Sequence, residues 1–152
     1  MTRLAVLLAT AGGAGYAPIA PGTVGSAVGA IAYLLTKEWP ASWQIGMAAA
    51  VTLIGIWAAT EAARHFERHD PGQVVIDEVA GQWLTLLLTG VGPVGTVVGF
   101  FVFRILDVTK PWPARRFESL PAGLGIMADD VAVAVYGNIL LQVGVRVLSG
   151  AA

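Results

Sequence analysis

The residues best placed to do chemistry are Arg104, Asp107 and Lys110, in the run Phe103-Arg104-Ile105-Leu106-Asp107-Val108-Thr109-Lys110-Pro111-Trp112-Pro113. A spacing of three keeps them close to one helical face. Pro111 and Pro113 predict that the helix carrying them ends there. One carboxylate between two cations suits phosphate and a metal together. A guanidinium grips phosphate oxygens two at a time, an ammonium acts as a point charge, and a carboxylate ligates a hard cation. The competing reading is a self-neutralising surface triad, worth tenths of a kcal/mol.

Two further segments bring paired acids, Asp77-Glu78 and Asp129-Asp130, each just before an apolar run. Adjacent carboxylates repel and raise each other's pKa unless a cation compensates them. A helix N-terminus explains one acid of such a pair by capping or by its dipole, and it does not explain two pairs. Gly123 and Gly125 precede the second pair, where they would let backbone approach a ligand. A fourth segment, Ala17–Ser26, reads as a Gly-rich turn opening a helix. Gly22 and Thr23 there are candidate phosphate contacts through the backbone amides of a helix start, and no Gly-Lys-Ser/Thr of a Walker loop is present. His65 and His69 read as surface residues more readily than as ligands. With no cysteine and two histidines, the acidic pool of Asp77, Glu78, Asp107, Asp129 and Asp130 suits Mg²⁺ better than Zn²⁺.

These groups must be positioned by an apolar scaffold. Of 152 residues, 56% are hydrophobic and 12% charged, against about 25% charged in an average soluble domain. Mean hydropathy is +0.71. Fifteen of the nineteen charged residues fall within Glu61–Glu78 and Arg104–Asp130. An unpaired charge in a low-dielectric place costs several kcal/mol, so this clustering marks an acidic, cation-binding site at the edge of a membrane protein. A net charge of −1 gives no bulk basic field for nucleic acid. Six of the nine Lys and Arg lie in the two windows, which places them on the cytoplasmic face by the positive-inside tendency. Trp39, Trp43, Trp83 and Trp112 stand at edges of apolar runs, as interfacial tryptophans do.

The length predicts one domain over residues 1–152, all-α, a compact membrane-embedded bundle of short apolar helices. Arg3 and Leu4–Ala9 loosely resemble a signal peptide, but the Gly/Pro loop that follows reads as retained sequence. A short helix, an irregular loop and a helix over about Thr23–Leu35, N-capped by Thr23, are expected first. Trp39–Thr60 is long enough to span, and it continues as an amphipathic stretch to the breaker Asp70-Pro71-Gly72. Val79–Phe103 is broken by Gly90–Gly95 into a re-entrant hairpin that returns the chain to the side it left, which requires the break to be buried in protein. Val131–Val145 reaches span length by running to about Ser149 with Arg146 snorkelling. No strand is expected, and no residue pattern assigns an oligomeric state.

Pro18–Ser26, His69–Gly81, Phe100–Pro113 and Gly123–Asp130, in this order, resemble the phosphatidylglycerophosphatase A family of bacterial membrane lipid phosphatases. The Phe-Arg-x-x-Asp-x-x-Lys-Pro-Trp-Pro and Gly-Ile-Met-x-Asp-Asp runs are the specific part. The resemblance implies Mg²⁺-dependent hydrolysis of phosphatidylglycerophosphate to phosphatidylglycerol and phosphate in the bacterial inner membrane, with Asp77, Glu78, Asp107, Asp129 and Asp130 as the acidic positions and Arg104 and Lys110 as the basic ones. Either a water activated at the ion or a carboxylate nucleophile would attack phosphorus. The other classes considered are a different Mg²⁺-dependent lipid-headgroup enzyme and a small cation channel or transporter. The phosphatidyltransferase and histidine-phosphatase motifs are absent, and Arg104 and Lys110 beside the acids oppose cation passage.

Overall fold

The computed structural model describes residues 2–150; Met1, Ala151 and Ala152, the ends of the expected domain, lie outside the described residues. Among the described residues there are six α-helices: α1 (Thr2–Ala9), α2 (Pro21–Thr36), α3 (Ala41–Phe66), α4 (Ile76–Leu86), α5 (Pro93–Thr109) and α6 (Ala122–Gly150). Short 3-10 segments at Ala11–Tyr16 and Ala114–Ser119 complete the chain, and there is no strand among the described residues.

The bundle is held by close backbone approaches. α4 packs on α2 and α6, α3 on α1 and α6, and α5 mainly on α6. Small residues make these contacts possible, as they do wherever apolar helices must pack without a hydrophobic drive. A Cβ on Gly29 of α2 would lie 2.5 Å from the Val79 carbonyl of α4, and one on Gly123 of α6 would lie 2.1 Å from the Ile56 carbonyl of α3. Fully buried Ala58, Ala59 and Ala62 continue this tight packing along α3. The outward faces are apolar: Leu53, Ile105 and Leu148 are 67%, 62% and 76% exposed. α3 and α6 are each long and apolar enough to cross a membrane, with mean hydropathy of 1.5 and 1.7 over their most apolar stretches.

The expected broken hairpin is present as α4 and α5, joined at residues 87–92. The break starts and ends earlier than Gly90–Gly95, because Pro93 sits at the first position of α5, where proline loses no hydrogen bond and its φ suits the helix. Leu88 and Gly90 take positive φ. The carbonyls freed by the turn find partners inside the protein. Asn138 Nδ2 of α6 donates to the carbonyls of Leu84, Thr85 and Leu87 at 3.2, 3.1 and 2.8 Å. Gln142 Nε2 donates to Leu88 O, and the buried Tyr33 hydroxyl to Val91 O at 3.1 Å. These internal partners satisfy the turn without calling on water.

Several expectations are corrected. α2 starts at Pro21, again with proline in the first turn, so Thr23 lies inside the helix and caps nothing; its amide bonds Ala20 O. α3 ends at Phe66, short of the Asp-Pro-Gly breaker, on Glu67 in the left-handed region. α6 begins at Ala122 instead of about Val131, so Asp129 and Asp130 stand two turns inside it and cannot be caps. Gly123 serves helix packing, not ligand approach. Trp83 is a core residue at 5% exposure, packed with Tyr33 and Leu86; Trp39, Trp43 and Trp112 are exposed.

Candidate active site

The charged ends of α4, α5 and α6 meet at one end of the bundle around a cavity of about 650 Å³. Asp77 and Glu78 reach it from the first turn of α4, Arg104 and Asp107 from the last turns of α5, and Lys110 from the left-handed residue that ends α5. Asp129 and Asp130 enter from α6, Gly22 from α2, and Glu118 from the second 3-10 segment. The 69–74 loop adds His69 and Asp70, with Val74 and Ile126 as apolar wall. Of the residues singled out in the sequence, Thr23 and Gly123 do not line the cavity, whereas Gly125 does. His65 lies outside it too, its ring edge-on to Phe66.

The five acids are not equivalent. Ligand oxygens of Asp77, Glu78 and Asp130 lie within 4.8 Å of one another. Asp77 Oδ1, Glu78 Oε2 and Asp130 Oδ2 are buried without a hydrogen-bond partner. Burial pushes the Asp77 carboxyl well above the usual carboxylate range, and the charges of Glu78 and Asp130 push the same way. Burial raises Glu78 as well, against a lowering contribution from its contact with Asp77. Three mutually repelling carboxylates, each with a buried and unmet oxygen, are costly unless a cation joins them. An all-oxygen donor set of this kind fits a hard divalent ion.

Asp107 and Asp129 are each engaged by a cation. Arg104 Nη1 donates to Asp107 Oδ2 at 2.5 Å and to Ser26 Oγ at 3.3 Å, and it stands 3.9 Å from Glu78 Oε1. Ser26, fully buried, in turn donates to Gly22 O at 2.9 Å. Lys110 Nζ bonds Asp129 Oδ2 and lies 2.7 Å from Glu118 Oε1. Burial disfavours its charge, but the bonds to Asp129 and Glu118 prevail and raise its pKa above the usual lysine value. The guanidinium and ammonium thus flank the acidic trio, held in place by carboxylates.

Gly22 takes a role the sequence did not indicate. A Cβ there would lie 2.1 Å from Glu78 Oε1 and 3.4 Å from Arg104 Nη1. Its lack of a side chain makes room for the Glu78–Arg104 contact. Ser26 and Glu118 were not singled out at all. Glu118 lies in a charged window, but only the turn built by Pro111 and Pro113 returns it to Lys110, and no spacing rule encodes that.

The chain matches the family described as Phosphatidylglycerophosphatase A over residues 7–145. It is 38% identical over 133 residues to the Escherichia coli phosphatidylglycerophosphatase A, covering 85% of this chain and 76% of the relative. The Haemophilus influenzae protein of the same name is 33% identical, with 89% and 85% covered. A Bacteroides thetaiotaomicron protein, provisionally named phosphatidylinositol-3-phosphatase, is 35% identical with 92% of each chain covered. No solved structure matches the chain significantly. A match over most of the length, with Asp77, Arg104, Lys110 and Asp130 gathered around one cavity, leaves one conclusion on kinship: the chain belongs to the phosphatidylglycerophosphatase A family.

Proposed function

We propose that this protein hydrolyses the terminal phosphomonoester of phosphatidylglycerophosphate, giving phosphatidylglycerol and phosphate, with Mg²⁺ as cofactor. The observation that carries the reading is the juxtaposition of the unmet carboxylates of Asp77, Glu78 and Asp130 with Arg104 and Lys110 in one cavity. Asp77, Glu78 and Asp130 would hold the ion, with Asp107 and Asp129 beside them. When bound, the ion supplies Lewis-acid stabilisation of phosphate charge and a lowered pKa for water. Arg104 donates to non-bridging phosphate oxygens; Asp107, Ser26 and Glu78 hold its guanidinium where the fork can do so. Lys110 offsets the remaining charge as a point cation, and its raised pKa keeps it protonated throughout the neutral range. A cavity carboxylate accepts the proton of the attacking water. Phosphate-ester cleavage asks little covalent chemistry of a protein, so positioning and charge carry the rate.

The membrane reading is part of this proposal. α3 and α6 span, α4–α5 is re-entrant, and the charged end of the bundle faces the cytoplasm, where the basic residues cluster. The substrate's phosphate then needs to reach only the interface while its tails stay among lipid. The test is phosphate release from phosphatidylglycerophosphate in detergent micelles, with and without Mg²⁺. Mg²⁺-dependent release is expected; no release, or undiminished release in chelator, overturns the reading.

A further inference from the structure

The lipids in the names of the relatives, phosphatidylglycerophosphate and phosphatidylinositol 3-phosphate, share one chemistry. Each carries a terminal phosphomonoester and, across a short polyol, the phosphodiester that joins headgroup to diacylglycerol. The cations of the catalytic cavity provide for one phosphate. A second cleft of about 310 Å³ adjoins that cavity, and Pro21 and Gly72 line both. Arg68 and Tyr16 line the second cleft together with the Ala17–Pro18 turn. The cleft is built into the fold: Gly15 packs so closely on the Gln73 backbone that a Cβ would stand 1.9 Å from Gln73 O.

Arg68 differs from the arginine of the catalytic cavity. Among the described residues it makes no ion pair, whereas Arg104, Lys110 and Arg64 each have a carboxylate partner. Glu67, left-handed at φ 53°, ends α3, and the Arg68 amide bonds Ala63 O. Arg68 therefore opens the loop whose next residues, His69 and Asp70, line the catalytic cavity. Tyr16, in the cleft lining, is 57% exposed, and Ile19, in the chain between the lining residues Pro18 and Pro21, is 82% exposed. An unneutralised guanidinium between a phosphatase cavity and exposed apolar side chains stands where a lipid's phosphodiester would lie.

We propose that this cleft is a phosphodiester subsite in which Arg68 binds the internal phosphate of the substrate. It makes the enzyme prefer lipids with a phosphodiester behind the scissile phosphomonoester over lipids with the phosphomonoester alone. The proposal rests on the phosphatase reading above. The test compares phosphatidylglycerophosphate with phosphatidic acid of the same acyl chains, which has the terminal phosphate and tails but no phosphodiester, in non-ionic micelles. Arg68→Gln lowers kcat/KM for phosphatidylglycerophosphate about tenfold, mainly through KM, the size of one charge-assisted contact at a solvated rim. Turnover of phosphatidic acid stays within about twofold, as for an exposed charge with no partner, and Arg68→Lys keeps most of the preference. Phosphatidylglycerol, which has the phosphodiester alone, becomes a correspondingly weaker inhibitor of Arg68→Gln, and this arm decides if phosphatidic acid is not turned over by the unaltered enzyme. Equal losses on both lipids, no loss on either, or a loss seen only when the micelles carry added anionic lipid overturns the subsite. Absence of phosphate release from every lipid by the unaltered protein instead rejects the phosphatase reading, and the subsite with it.

Discussion

Replacing Gly22 by alanine separates catalysis from stability. The new Cβ would fall 2.1 Å from Glu78 Oε1 and 3.0 Å from Glu78 Cδ. Non-bonded heavy atoms do not settle closer than about 3 Å, so the carboxylate must retreat by about 1 Å. It is the far end of a flexible side chain, which makes the move cheap for folding. Alanine also favours helix over glycine by about 0.5–1 kcal/mol, and Gly22 lies in the first turn of α2. Thermal stability should therefore hold within a few degrees, where 1 kcal/mol corresponds to about 2–4 °C for a chain of this size. Catalysis should not hold. A misplacement of about 1 Å can cost on the order of 100-fold, or about 2.7 kcal/mol of transition-state stabilisation, and here it strikes a proposed metal ligand and its contact with Arg104. Phosphate release kinetics and a thermal melt on the same detergent-purified sample measure both. Unchanged kcat/KM would refute the argument that Gly22 sets the position of Glu78. A collapsed melting temperature would show that Gly22 serves the fold.

Other perturbations probe the remaining parts of the site and its scaffold. Asp107→Asn weakens the anchor of Arg104 while leaving the fold intact, and kcat/KM should fall by at least about 100-fold; full activity would remove Asp107 from the machinery. Lys110→Ala should lower kcat/KM by about 10- to 100-fold, chiefly through KM, the range for one charged contact. A folded-state pKa raised above the unfolded value contributes stability that is complete below the unfolded pKa of about 10.4 and is lost only as pH rises through the raised value. The Lys110 contacts should therefore give no stability change between pH 6 and 9 in a series of melts, and a Lys110-dependent transition in that window would contradict them. Asn138→Leu leaves three carbonyls of the hairpin turn without their donor and should cost about 1–3 kcal/mol, with turnover per folded molecule unchanged; an unaltered melt would mean that the turn is served from elsewhere.

The acids and cations were legible in the sequence because charge is expensive in so apolar a chain. Asp77, Glu78, Arg104, Asp107, Lys110, Asp129 and Asp130 had to share one place, and they do. Their division was legible only in part. The Arg104–Asp107 pair follows from their spacing of three within α5, but only the helix packing decides that Asp77, Glu78 and Asp130 converge while Asp129 meets Lys110. The two ends of α6 fared differently for a physical reason. Its far end follows from apolar length, but Gly123 and Gly125 look like loop residues until α3 is seen against the first and the Glu118–Leu120 backbone against the second. Thr23 misled because a good N-cap residue stands two positions after Pro21, and the proline takes the first position. Asn138 gave no signal, since one amide in an apolar run acquires meaning only from the carbonyls across from it.

The central claim, that carboxylates from α4 and α6 jointly hold a divalent ion, is tested most directly by equilibrium Mg²⁺ or Mn²⁺ binding to the purified protein without substrate. The unaltered chain should bind the ion, and Asp77→Asn/Asp130→Asn should lose that binding while keeping its helical content. Equal binding by both proteins, or none by the unaltered chain, would contradict the account.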